Sequence, residues 1–293
     1  MSYLDGVLRL ISINMISSIG FIMLAGWVGI FGLGHAGFIA IGAYVGSLTM
    51  MKLNLPWFLA LPLGGIVAGI AAYLVGRPTL RLKPVYFTVA SMALGETIRL
   101  TLDNLDFLGG SRGVTGIPIE FATLPNILIV VVLGVIVAVN IRHSKFGRSY
   151  VAIRDDALAA EHMGIKVARV KTTVFVISAI YCGVGGGFYA AYMTYIRPAM
   201  FSADMSSYLS TWAIFGGLGS LTGGLFGTFF LTALTESFRA FATYRMLFYG
   251  IALVIIIAIR PQGVFGTWEL TPANLKKVWR SITRRKANDG KKG

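Results

Sequence analysis

Apolar stretches of membrane-spanning length recur along nearly the whole chain. They cover 7–30, 35–51, 55–76, 84–102, 123–141, 171–194, 206–238 and 245–260. A transmembrane helix needs roughly 20 mostly apolar residues. In lipid every backbone polar group must find its partner inside the protein, so repeated spans of this kind fold as helices. Hydrophobic residues make up 56% of the 293 positions and charged residues only 13%, against about 25% charged in soluble chains. The expectation is an all-α, polytopic transmembrane helix bundle of about eight to ten helices, with broken or re-entrant glycine-rich segments.

The formal net charge of +14 comes from basic residues gathered in blocks between the apolar runs. Of 26 Lys and Arg, seven lie in 142–171: Arg142, Lys145, Arg148, Arg154, Lys166, Arg169 and Lys171. Nine more lie in 260–293. Such clustering is the mark of cytoplasmic loops. It lacks the interleaved base-stacking or groove-reading elements of a nucleic-acid binder, so no nucleic-acid partner is expected. With 142–171 and the C-terminal tail on one side, the 206–238 stretch must cross there and back. Gly216-Gly217-Leu218-Gly219-Ser220 and Gly223-Gly224 supply the break, because glycine weakens a helix. Arg77, Arg81 and Lys83 fit the cytoplasmic side as well, and the nearly neutral loop 103–122 the external side. The side of the N-terminus stays open, since 31–54 can be crossed in more than one way. The start MSYLDGVLRL has no basic region and no small-residue cleavage site, so 7–30 reads as a retained span.

Catalysis finds no support in the residues. His35, His143 and His162 form no zinc-type spacing, and there is no phosphate-binding Gly-x-x-x-x-Gly-Lys-Ser/Thr loop and no Gly-x-Ser-x-Gly elbow. The single cysteine, Cys182, sits in an apolar run and allows neither a disulfide nor a cysteine metal site. The chain is therefore read as a non-enzyme with no metal and no cofactor of its own; any ATP must be bound by partner subunits.

Three features remain as candidates for function. Glu96 stands inside 84–102 with Arg99 three residues on, on a shared helix face. A charge at a helix centre costs about 2.5–3.5 kcal/mol on insertion scales, so this pair either lines the solute path or is a structural pair near a helix end. Glu236, with Arg239 three residues later, reads more simply as structural. Second, Phe31-Gly32-Leu33-Gly34-His35-Ala36-Gly37 echoes Gly216-Gly217-Leu218-Gly219-Ser220-Leu221-Thr222-Gly223. This echo is either a repeated half with a broken helix near the substrate or the ordinary glycine content of membrane helices. Gly34, His35, Glu96, Arg99, Gly217 and Gly219 are the translocation-pathway candidates. Third, in 142–171 Asp155 or Asp156 can cap a helix of about two turns that Gly164 ends, with Ala157, Ala160 and Gly164 on one smooth face. That segment is either a plug for a groove on a soluble partner or a solvated loop.

The motifs Gly147-Arg148, Ala152-Ile153-Arg154-Asp155-Asp156, Ala159-Ala160 and Gly164-Ile165, then Phe175-Val176-Ile177-Ser178-Ala179, resemble the LivM-type permeases of branched-chain amino acid ABC transporters. So do Gly42-Ala43-Tyr44, Tyr86-Phe87, Gly95-Glu96, Gly109-Gly110-Ser111-Arg112-Gly113, Gly183 to Tyr189, Pro198 with Phe201, Gly216–Ser220 and Arg260-Pro261-Gln262-Gly263-Val264-Phe265-Gly266. The resemblance covers about residues 20–268. It implies an importer permease domain over 1–268 with a coupling loop at 142–171, in which Arg154, Asp155, Asp156, Ala160 and Gly164 dock on an ATPase. It further implies a second related permease subunit, two ATP-binding cassette ATPase subunits, an external solute-binding protein and a place in the bacterial inner membrane. His35 departs from the family pattern, where a Gln and a small residue precede the aromatic. This departure leaves urea or short amides as alternatives to branched-chain cargo. An ion-coupled secondary carrier is the competing class; for it the chain offers only Glu96, Arg99 and Glu236. The basic tail 269–293 is expected to be a cytoplasmic topology signal that can also hold anionic lipid headgroups.

Overall fold

A computed structural model describes residues 3–237 together with 250, 251, 254, 258, 260 and 263–266. Ten α-helices fill the continuous part: α1 (Tyr3–Ile22), α2 (His35–Leu53), α3 (Trp57–Thr79), α4 (Pro84–Asn104), α5 (Leu124–His143), α6 (Lys145–Asp155), α7 (Ala157–His162), α8 (Val167–Met193), α9 (Ala203–Gly216) and α10 (Leu221–Ser237). Among the described residues, five helical stretches are long and apolar enough to cross a membrane, and the bent pair Pro198–Gly216 with Leu221–Ser237 makes up to six. The all-α bundle expected from the sequence is the observed class. The boundaries move little, but α8 begins at Val167 and takes up the end of the stretch expected to be a loop. The 245–260 stretch is described only at isolated positions, and 269–293 lies outside the described residues.

The centre of the bundle is α8, packed against α1, α2 and α3. Its 27 residues span about 40 Å at 1.5 Å per residue. Small residues make this packing possible. Added Cβ atoms at Gly42 and Gly186 would overlap the carbonyl oxygens of Gly183 and Ile39, and one at Gly65 would sit 2.9 Å from Val184 Cγ2. Lipid tails are as apolar as leucine side chains, so membrane helices gain association energy by bringing backbones close together. Here glycines on three helices do so at one junction.

These contacts also fix directions. Gly42 faces Gly183 and Gly46 faces Gly187, so α2 runs parallel to α8. Gly65 meets Ile180 while Gly76 meets Phe175, so α3 runs antiparallel. At one end of the bundle Val114–Thr115 (β1) pairs antiparallel with Tyr195–Ile196 (β2), tying the loop before α5 to the end of α8. The opposite end carries α6 and α7.

The N-terminus falls at the ribbon end. Arg9 on α1 donates from Nη1 to the Ala122 carbonyl at 2.9 Å and pairs with Asp5 at 2.7 Å. Trp27, just past α1, lies instead beside Tyr150 of α6. The expected break in 206–238 is present: α9 and α10 meet at 119° around Gly217–Ser220. α10 then returns along α1, with Thr228 Oγ1 bonded to Ser18 Oγ at 2.9 Å and Tyr3 Oη donating to the Glu236 carbonyl at 2.7 Å. Val264 and Phe265 donate to the carbonyls of Phe215 and Gly216 at 3.0 and 3.1 Å, so residues 263–265 sit back at the α6–α7 end.

Replacing Gly42 by Ala is expected to lower stability by about 1–3 kcal/mol, since its methyl overlaps α8 backbone that cannot retreat. Gly6→Ala, whose Cβ would lie 3.4 Å from Tyr192 Oη, is expected to be near neutral. Thermal unfolding of both variants in the same detergent measures the difference.

Candidate functional site

The segment between α5 and α8 is built as two helices. Ser144 caps α6, its Oγ accepting from Gly147 N at 3.4 Å, and a side chain at Gly147 would overlap the Arg142 carbonyl. Tyr150 and Ile153 on α6 are buried against the bundle. Asp156 caps α7 as its type and position predict: its Oδ1 accepts from Leu158 N at 2.9 Å and Ala159 N at 3.0 Å. Gly164 closes the segment with φ +83°, and nothing lies within 4 Å of a Cβ added there. Left-handed backbone is what glycine tolerates at the end of a helix.

The faces of α7 are turned differently from the smooth Ala157, Ala160 and Gly164 face drawn from spacing. Ala160 is 4% exposed and Ala157 half-buried, so both look into the protein. Outward face Leu158, 69% exposed, and Met163, 84% exposed, with Glu161 and His162. Asp155 is exposed and contacts Arg154 at 3.5 Å. Arg154 also reaches back, donating from Nη1 to the Gly26 carbonyl at 3.2 Å.

The pathway candidates separate into two groups. Gly34 and His35 belong to the interior. A Cβ at Gly34 would overlap the Ser91 carbonyl of α4. His35 is 1% exposed; its Nε2 bonds Ser178 Oγ at 2.8 Å and its Nδ1 bonds the Gly32 carbonyl at 3.1 Å. The ring packs edge-on against Phe21 at 5.0 Å. Both ring nitrogens are thus occupied in holding the 28–34 turn to α8. Gly217 is buried with φ +114°, and Gly219 is half-buried in the same turn. Gly26 presses on this turn, for a side chain there would overlap the Leu218 carbonyl.

Glu96 and Arg99 look the other way. α4 buries Phe87, Ser91, Gly95 and Leu102 along one stripe. Glu96 lies on the opposite arc with exposed Val89, Met92, Ala93 and Leu100. Arg99 donates to Glu96 Oε1 from Nε at 2.7 Å and from Nη2 as well, and the Glu96 side chain stays 40% exposed. α4 is not among the helices apolar enough to pass as a simple span, whereas α5 is and exposes Ile129, Val132, Leu133, Ile136 and Val137. Among the described residues no group of His, Cys, Asp or Glu is arranged to hold a metal ion.

Several long, mostly apolar helices around a glycine-lined centre define a multi-pass helical membrane protein. Residues 3–259 match the model of the family described as "branched-chain amino acid transport system / permease component", and the chain belongs to this family. It is 30% identical over 286 residues to the high-affinity branched-chain amino acid transport system permease protein LivM of Salmonella typhimurium, covering 86% of this chain and 67% of the relative. The same level, 30% over 292 residues, holds for LivM of Escherichia coli K12, with 88% and 69% covered. LivH of Escherichia coli K12 is 25% identical over 283 residues, covering 86% of this chain and 91% of that one. No solved structure matches.

Asp156→Ala is expected to cost about 1 kcal/mol, the usual value of a helix N-cap, and to loosen α7 alone. Faster amide exchange over 157–163 with unchanged exchange in α8 is the measurement.

Proposed function

We propose that this chain is the permease subunit of an ATP-driven importer for branched-chain amino acids in a bacterial inner membrane. The observation that carries the reading is the reach of the family match. It runs from residue 3 to 259 and so takes in every described span and the α6–α7 segment. Its partners are a second, related permease subunit, two ATP-binding cassette ATPase subunits that bind the ATP, and an external solute-binding protein. The α6–α7 end and the C-terminus are cytoplasmic, in keeping with the basic residues there. The N-terminus and the β1–β2 ribbon are then external.

Leu158 and Met163 stand out from α7 at that end, and large apolar side chains exposed together mark a surface for a protein partner. They form the contact with an ATPase, flanked by Asp155, Asp156 and Gly164. Ala160, turned inward, fixes α7 to the bundle, and Arg154 ties the segment to the end of α1.

The solute path runs along the exposed arc of α4. An ion pair at mid-helix on an outward face is costly against lipid, so this face is covered by the second permease with a polar passage between them. The apolar outer face of α5 suits lipid. His35 is fully engaged inside the bundle, so its departure from the family pattern gives no reason to prefer urea or short amides.

Two experiments test this reading. Proteoliposomes holding the complete complex are expected to take up leucine, isoleucine and valine only with ATP on the ATPase side. Uptake driven by an ion gradient without ATP would identify a secondary carrier. In the same vesicles Glu96→Gln is expected to cut uptake about tenfold, while Glu236→Gln, at the end of α10, keeps most of it. Equal uptake by both variants would remove α4 from the path.

A further inference from the structure

The end of α1 is held by the α5–α6 corner in a way that packing of two helices does not require. After Ile22 the helix changes to π-helical pitch over Met23–Trp27. Such turns are uncommon and mark functional joints more often than plain helix does. Trp27 is 3% exposed and its ring meets two groups from the cytoplasmic segment. The Arg142 guanidinium carbon stands 5.6 Å from its ring centroid, and the Tyr150 ring of α6 stacks at 6.5 Å and 17°. Its Nε1 has no hydrogen-bond partner among the described residues. One residue earlier, the Gly26 carbonyl accepts from Arg154 Nη1 at 3.2 Å, and Gly26 itself is pressed against Leu218 in the turn between α9 and α10.

From this geometry we infer that Trp27 and Gly26 form a positioning joint, through which displacement of α6 and α7 reaches both the end of α1 and the 217–220 turn. This rests on the importer reading above. The helices at the cytoplasmic end have three grips on the α1 terminus: a ring stack, a cation over the same ring and a guanidinium–carbonyl bond. A push on α6 therefore shifts residues 26–27. Because a glycine with no room for a side chain separates the α1 terminus from Leu218, the shift passes to the break between α9 and α10. A π-helical turn can absorb or release one residue of register, which suits a segment that moves between two positions. The guanidinium of Arg154 thus has an intramolecular task in addition to any contact with the ATPase.

The test uses the complete reconstituted complex and reads solute molecules imported per ATP hydrolysed. Trp27→Leu fills most of the volume but has no ring face, and Trp27→Phe restores one. Trp27→Leu is expected to assemble with its partners, to hydrolyse ATP, and to import about fivefold less solute per ATP; Trp27→Phe is expected to recover most of the ratio. Wild-type coupling in Trp27→Leu would overturn the joint. So would loss of assembly in Trp27→Leu with full recovery in Trp27→Phe, since that marks packing alone. Absence of ATP-driven uptake by the wild-type complex would instead overturn the importer reading, and the joint with it.

Discussion

The close approach of α2, α3 and α8 is the contact on which the remaining geometry depends. Three helices meet where Gly42, Gly64, Gly65, Gly183 and Gly186 bring backbones close together. In a bilayer no hydrophobic effect drives helices together, so dispersion across short backbone distances must supply the association energy. That contact places Ser178 opposite His35 and so decides where the 28–34 turn enters the bundle. The turn in turn sets Gly34 against Ser91 and orients α4. The α4 arc that carries Glu96 faces outward because its other side is committed to this packing.

Much of this order is legible in the residues. The apolar runs give the spans. Asp156 and Gly164 bracket α7 because a carboxylate that caps and a glycine that turns are local devices, needing no tertiary information. The break at Gly217 is legible for the same reason. What the sequence hides is set by partners distant in the chain. The end of the bundle at which the N-terminus lies follows from Arg9 reaching Ala122, a bond across 113 positions. α6 is overlooked because its buried face, Tyr150 and Ile153, is short and set among charged residues that suggest a loop. The inward turn of Ala160 is likewise invisible: small residues on one helix face fit a partner's groove and a neighbouring helix equally well. The π-helical turn at Met23–Trp27 has no signature of its own, since the same residues fit an α-helix.

His35 and Glu96 show why polarity inside a span does not by itself identify a path. Both are polar groups carried on helices of the bundle, and both are expensive in lipid. His35 is relieved within the chain, by Ser178 and the Gly32 carbonyl, and its energetic problem is solved before any partner arrives. Glu96 is only partly relieved by Arg99: the pair shares a charge-assisted bond, yet the carboxylate keeps an open side directed away from the bundle. A group satisfied internally stabilises one conformation. A group left partly open on an outward face needs something polar beyond the chain, and so it is the one that can meet a passing solute.

The α6–α7 segment and the α4 arc lie on different parts of the molecule, and the function proposed above requires that a push at one reach the other. Rigid connection through the centre is available, because α8 follows α7 directly and the glycine contacts bind α8 to α2, which itself touches α4 through Gly37 and Gly95. A rigid route alone would move the whole bundle as one body and leave the path unchanged. A second route with a yielding element is needed for relative motion. The end of α1 supplies it, with π-helical pitch on one side and the bent α9–α10 pair on the other. The close-packed centre resists while the α1 terminus gives, so a push at α6 becomes a change in the position of α9 and α10 relative to α4.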